Sequence, residues 1–211
     1  MDETLDLAIA GEPVRLFADR ALYWPARGRL LIADLHLGKG DTFRTAGIAV
    51  PTGGTAQDLG RLARLLARSG ARSLWILGDF LHARRTAAVD AAWRDFRDAH
   101  RDVAVAVVPG NHDRALDPAA AGVERLPEGV VDGPFELRHA PSPGPSAKHV
   151  LCGHVHPVLR LPGIGRHPLF WLRQRITVLP AFSAFTGGHP VPRADSGGSV
   201  LCDGAQLLQL R

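Results

Sequence analysis

Leu30-Leu31-Ile32-Ala33 runs straight into Asp34-Leu35-His36. An apolar run of strand length is followed at once by an acid and an imidazole, with no turn residue between them. The pattern recurs twice. Leu74–Leu77 ends in Gly78-Asp79, and Val103–Val108 ends in Pro109-Gly110-Asn111-His112-Asp113. The unbroken apolar character of these last two runs reads as strands buried on both faces. Three strands thus each deliver polar side chains at their C-terminal ends, where the ligand crevices of α/β sheets lie.

Working outward, Leu5–Ala10, Val14–Ala18 and Ala21–Trp24 are short apolar runs with turn punctuation and read as strands. From about Thr55 to Ser69 the period is helical, with Leu59, Leu62, Ala63 and Leu66 on one stripe and Gly70 where a helix stop belongs. A second helix is expected over about Ala87–His100. After Pro127 the chain turns strand-rich, with Phe135–Arg138, His149–Cys152, Ile176–Leu179 and Val200–Cys202 as strands. Pro141–Pro145 and Arg193–Gly198 read as loops. Strand–helix–strand units between strand-rich ends favour an α/β sandwich of helix-covered sheets. A Rossmann fold lacks its glycine fingerprint here, and no P-loop sequence is present.

A length of 211 residues suits a single domain over 1–211. Hydrophobic residues are 45% and charged residues 22%, which excludes wholesale disorder. Two cysteines, Cys152 and Cys202, make neither a disulfide framework nor a thiolate zinc site. The start Met1-Asp2-Glu3 is acidic where a signal peptide is basic, and no apolar run reaches membrane-spanning length. The expectation is a soluble, cytoplasmic protein that does not engage a membrane. Only Lys39 and Lys148 are lysines, so 23 of 25 basic residues are arginine, whose planar fork suits phosphate. A net charge of +4 is nonetheless modest for a dedicated nucleic-acid binder.

Asp34 and His36 are two apart and would point to one side of an extended chain, and His154 and His156 repeat that spacing. Carboxylate, imidazole and amide oxygen suit Mn²⁺, Zn²⁺ or Fe, and no thiol is among the donors. Gly78, Gly110 and Gly153 each precede a candidate ligand, as fits backbone passing close to a crowded centre. Each fragment has a plainer reading alone: Asp79 as a helix cap, Asn111-His112-Asp113 as turn chemistry, His139 as a solvated histidine. Five such fragments in order at strand ends are harder to dismiss.

Asp34-x-His36, Gly78-Asp79, Gly110-Asn111-His112-Asp113, His139 and Gly153-His154-x-His156 resemble the five ordered motifs of the calcineurin-like binuclear metallophosphoesterases. The resemblance implies a four-layered α/β/β/α sandwich with mixed sheets. It also implies two metal ions, manganese first and zinc or iron as alternatives. Asp34, His36 and His156 would hold one, Asn111, His139 and His154 the other, and Asp79 would bridge them. His112 would act as general acid in an in-line attack by a metal-bridging hydroxide, with Asp113 orienting its ring. Asp34–Arg44, Gly78–His82 and Leu179–Gly188 further resemble the bacterial ligase-associated DNA-damage-response metallophosphoesterase. That subgroup implies a manganese-dependent DNA endonuclease in DNA repair, with a helicase, an exonuclease and an ATP-dependent ligase as functional partners.

His112 and His139 are only 27 positions apart, too close for a large inserted cap, and an open site suits a polymer such as single-stranded or flapped DNA. Lys39, Arg44 and His82 are candidate substrate-binding residues. Phe43, Phe182 and Phe185 could stack unpaired bases or simply be core. Arg61, Arg64, Arg68 and Arg72 read as a solvated helix face, with a DNA track as the minority reading. Small diesters, nucleotides or a pyrophosphate also fit an open site, so a small-molecule phosphoesterase or pyrophosphatase is the alternative. The intact donor set argues against a non-catalytic scaffold.

Overall fold

The computed structural model describes residues 3–82, 86–141, 146–163 and 165–210. The first sheet takes its seven strands in chain order: β1 (Thr4–Ile9), β2 (Glu12–Phe17), β3 (Ala21–Trp24), β4 (Arg29–Ala33), β5 (Ser73–Leu77), β6 (Ala104–Val108) and β7 (Glu124–Arg125). β1 to β4 pair antiparallel through tight turns. β4 to β7 pair parallel, because helices carry each return. Those helices are α1 (Lys39–Thr45), α2 (Gly54–Ser69), α3 (Ala87–Ala99) and α4 (Pro118–Ala121).

The central strands alternate with period two. Leu30, Ile32, Leu74, Ile76, Val105 and Val107 pack under Leu59, Leu62, Leu65 and Leu66 of α2 and Val89, Trp93 and Phe96 of α3. Leu31, Ala33, Leu77, Ala106 and Val108 face the other way, onto Phe135, Leu137, Leu151, Phe170 and Val200 of the second sheet. Burial on both faces is why these strands read as unbroken apolar runs. Gly70 ends α2 in the left-handed region (φ 64°), its amide donating to Leu66 O at 3.0 Å.

The second sheet comprises β8 (Val130–Asp132), β9 (Phe135–Leu137), β10 (His149–Cys152), β11 (Pro157–Leu161), β12 (Gly165–Leu172), β13 (Ile176–Val178), β14 (His189–Pro190), β15 (Val200–Cys202) and β16 (Leu207–Gln209). Its path is β14-β11-β12-β13-β10-β9-β8, with β15 and β16 branching from β12, and it too mixes parallel and antiparallel pairs. Two mixed sheets face to face, with helices outside the first, are the expected sandwich. Its fourth layer differs: among the described residues, a 3₁₀ turn (Arg193–Asp195) and loops replace an α-helix beyond the second sheet. Pro190, Pro192, Gly197 and Gly198 leave that stretch too few helical residues in a row.

Elements missed in sequence have local causes. Gly38 and Gly40 hid α1, and Pro157, Pro162, Gly163 and Pro168 hid the β11–β12 hairpin. The loop expected over 141–145 lies, beyond Pro141, outside the described residues. No described helix is long and apolar enough to cross a membrane.

Candidate metal centre

β4, β5, β6, β9 and β10 all end at one edge of the sandwich, and each hands over its polar residue within three positions of the strand end. Beyond the sheet, β4 and β5 stay zipped: Asp34 N donates to Gly78 O (3.1 Å), His36 N to Asp79 O (2.8 Å) and Leu37 N to Phe80 O (2.9 Å).

The donors gather in two clusters. His36 Nε2 lies 3.4 Å from His156 Nε2 and 3.8 Å from Asp79 Oδ2, and His156 Nε2 lies 3.5 Å from Asp34 Oδ1. His139 Nε2 lies 3.0 Å from Asn111 Oδ1, 2.9 Å from His154 Nδ1 and 3.6 Å from Asp79 Oδ1. Asp79 therefore turns one carboxylate oxygen to each cluster. Donor atoms of Asp34, His36, Asp79 and His156 lie within 4.8 Å of one another, and so do those of Asp79, His139 and His154. Every residue expected to hold metal is brought here.

These groups fit divalent ions. Burial, aided by Lys39 and the neighbouring histidines, pushes the His36 pKa down to about 2, so its ring is neutral and its lone pair free. His139 turns Nδ1 toward Leu77 O (3.4 Å), which puts its proton there and its lone pair on Nε2. Burial likewise lowers His154.

The backbone corrects one expectation. Asp34 and His36 do not converge along an extended chain: their φ angles are 54° and 48°. Asp79 (47°), His154 (67°) and His156 (51°) are left-handed as well. Five of the seven non-glycine residues with positive φ among those described are thus candidate ligands, an arrangement that costs on the order of 1–3 kcal/mol each. The glycines meet the close approach foreseen for them. A Cβ at Gly78 would strike the His139 ring, one at Gly110 the Asp79 carboxylate, and one at Gly153 would lie 2.6 Å from Asp34 Oδ2.

Asp113 corrects another. Its carboxylate does not touch the His112 ring. Oδ2 accepts from Gly110 N (2.8 Å) and Phe80 N (3.2 Å), and Oδ1 from Leu81 N (2.9 Å). Buried at 1% exposure, Asp113 clamps the two ligand loops together. Burial raises its pKa and those three amides oppose the rise. The His112 ring is oriented instead by the His82 carbonyl, 2.8 Å from Nδ1, and by the His82 ring stacked on it at 5.1 Å.

Lys39 is half-buried beside Asp34 and Asp79, whose charges oppose the burial that lowers its pKa. Arg44 is not brought to the cluster, because it pairs with Asp41 and donates to Pro51 O at 2.9 Å. Phe182 is core at 0% exposure, Phe185 packs over Gly54 and Gly40, and Phe43 meets His82 edge-on at 6.0 Å. Sequence reasoning missed Glu128, whose carboxylate accepts the His139 amide at 3.2 Å, and Arg20, Asp58 and Arg61 beneath residues 181–184. Arg61 reads in sequence as part of a solvated face, but its side chain is only 13% exposed.

The calcineurin-like phosphoesterase family model matches residues 29–142, the span of the first four donor motifs. The chain belongs to the calcineurin-like phosphoesterases. Membership makes it a metallophosphoesterase and implies divalent metals at the donor clusters. A solved structure, the nuclease MPE of Pseudomonas putida, is 41% identical and superposes with a TM-score of 0.86, covering 98% of this chain and 100% of its own. No curated protein sequence matches the chain.

Proposed function

We propose that this metallophosphoesterase is a manganese-dependent DNA endonuclease acting on single-stranded or flapped DNA. The observation that carries the reading is a pair of donor clusters sharing Asp79 at an edge that no cap covers among the described residues. The interval between His112 and His139 holds only a 3₁₀ turn, the one-turn α4 and three short strand segments, and both Asn111 and His154 are exposed. The likeness to a nuclease supports a nucleic-acid substrate.

Asp34, His36, Asp79 and His156 would hold one ion, and Asp79, Asn111, His139 and His154 the other. Two such cations supply Lewis acidity, drawing charge from the phosphoryl oxygens and ionising water at neutral pH. The chain does the rest. With His112 Nδ1 committed to the His82 carbonyl, Nε2 is the ring's free position, and the imidazolium form can give its proton to the departing oxygen. Stacking on His82 keeps that ring aimed. Lys39 offers a cation with no ion-pair partner among the described residues, suited to a phosphate oxygen. A place beside a helicase, an exonuclease and an ATP-dependent ligase follows only if DNA is cleaved.

The test is a closed single-stranded DNA circle with Mn²⁺, with His112→Ala in parallel. Linearisation by wild type, slowed about 10²–10⁴-fold in the variant, is the expected result. An intact circle beside a cleaved aryl phosphodiester would remove DNA and leave a small-molecule phosphoesterase.

A further inference from the structure

Behind the donor clusters lies a buried polar network that the chemistry above does not use. Asp58 of α2 is 4% exposed and pairs with Arg61 at 3.0 Å, one turn on. Arg61 stacks over the Phe182 ring with its guanidinium 4.1 Å from the centroid, and donates to the Phe182 carbonyl. Asp58 also receives the Ser183 hydroxyl and the Ala184 amide. Arg20, from the β2–β3 turn, donates to the carbonyls of Ala181 (3.3 Å) and Ser183 (3.2 Å). Three consecutive carbonyls, 181 to 183, are therefore each held by an arginine.

That segment is tied to a candidate ligand. Ala181 bridges Ala33 in parallel, Phe182 N donates to Ala33 O at 2.8 Å, and Ser183 N donates to Asp34 O at 3.2 Å. Asp34 sits at φ 54°, a conformation it holds only under restraint. Its carboxylate then accepts the His154 amide at 2.9 and 3.2 Å. Hydrogen bonds thus run unbroken from Arg61 through 182–183 and Asp34 to His154. A buried ion pair is poor stabilisation compared with apolar packing of the same volume. What this one provides is direction: a planar fork can meet a carboxylate and a carbonyl together while lying flat on an aromatic ring, and an ammonium cannot.

We infer that Arg61, seated on Asp58 and Phe182, is a positioning residue for the first donor cluster, fixing the 181–183 segment that in turn fixes the backbone of Asp34. The inference rests on Asp34 being a metal ligand. It assigns a metal-tuning role to a residue whose helical position marks it only as surface.

Titrating apo protein with Mn²⁺, with thermal unfolding of the same apo samples, tests it without turnover. Arg61→Lys should weaken the affinity of one site about 10–100-fold, the usual scale for groups that orient a ligand. The control is Arg29→Lys, a comparably buried pair with Asp132 at the opposite end of β4, which should lose stability and keep wild-type affinity. Wild-type affinity in Arg61→Lys despite a lowered melting temperature overturns the inference, and so does an equal affinity loss in Arg29→Lys. If Arg61→Lys does not fold, Arg20→Lys stands in: a smaller loss at the same site supports the proposal, and unchanged affinity overturns it. Asp34→Asn separates the underlying reading. If it also binds Mn²⁺ like wild type, the assignment of Asp34 as a ligand is what has failed.

Discussion

The two donor clusters share Asp79 and are tied through Asp34, whose carboxylate accepts the His154 amide, yet they differ in burial. In the first, Asp34 is 0% and His36 3% exposed, and the backbone around them is laced to residues 78–80 and 181–183. In the second, Asn111 and His154 are exposed; the Leu77 carbonyl and Glu128 back His139, the Asp34 carboxylate holds the His154 amide, and Asp113 holds the Gly110 amide beside Asn111. Similar donor chemistry in unlike surroundings teaches a division of labour. An ion held by the first cluster would be caged by protein and should exchange slowly. An ion held by the second would face the solvent from which a phosphate arrives.

The shared residue is where the comparison breaks most completely. Asp79→Ala should lose both ions and essentially all turnover, because each cluster forfeits one carboxylate oxygen. Metal analysis after gel filtration gives the answer, and one retained equivalent would mean that Asp79 serves only one cluster. The next largest effect separates the clusters. His36→Ala should cost the caged ion outright, whereas Asn111→Ala should leave one ion bound and make the other easier to strip with a chelator. Metal stoichiometry of the two variants, dialysed side by side, reads this directly, and equal losses would erase the asymmetry.

Asp113 tests whether the clusters depend on the clamp between their loops. Asn in its place turns an NH₂ toward an amide that formerly donated, leaving a buried donor unpaired at about 1–3 kcal/mol. In a chain of this size that lowers the melting temperature by roughly 2–4 °C per kcal/mol. Had Asp113 served to orient His112, Asp113→Asn would slow turnover with melting unchanged, so unfolding and rates together decide between the roles.

How much of this was legible in sequence follows from what sequence encodes. The candidate donors and their order were readable, because an apolar run ending in Asp34, Asp79 or Asn111 states both burial and chemistry within a few residues. The sandwich followed from the alternation of strand and helix. The left-handed backbone at Asp34 and His36 was not readable, since it comes from the meeting of the 78–80 and 181–183 segments with β4 rather than from local propensity. Arg61 was misread for the same reason: a helical wheel cannot know that residue 182 returns to lie beneath it. Asp113 stands beside His112 in sequence, yet its side chain turns to Gly110, Phe80 and Leu81. Adjacency was mistaken for contact.

The smallest expected effect concerns the approach to the exposed side. Lys39 and Arg44 lie on the same short helix after the first donor pair, but the fold gives them different work. Lys39 is half-buried against Asp34 and Asp79 with no ion-pair partner among the described residues, while Arg44 spends its charge on Asp41 and the Pro51 carbonyl. A partly exposed pair of this kind contributes about 0–1 kcal/mol. Arg44→Ala should therefore change both melting and KM for DNA only slightly. Lys39→Ala removes a cation that has nowhere else to go, and should raise KM about 10- to 100-fold, the loss of one charge-assisted hydrogen bond to phosphate. The salt dependence sharpens the contrast: Lys39→Ala should flatten the dependence of KM on ionic strength, and Arg44→Ala should not. Equal effects from both would mean that Arg44 leaves Asp41 when DNA arrives, and that the exposed cluster is served by the whole of α1 rather than by its first residue.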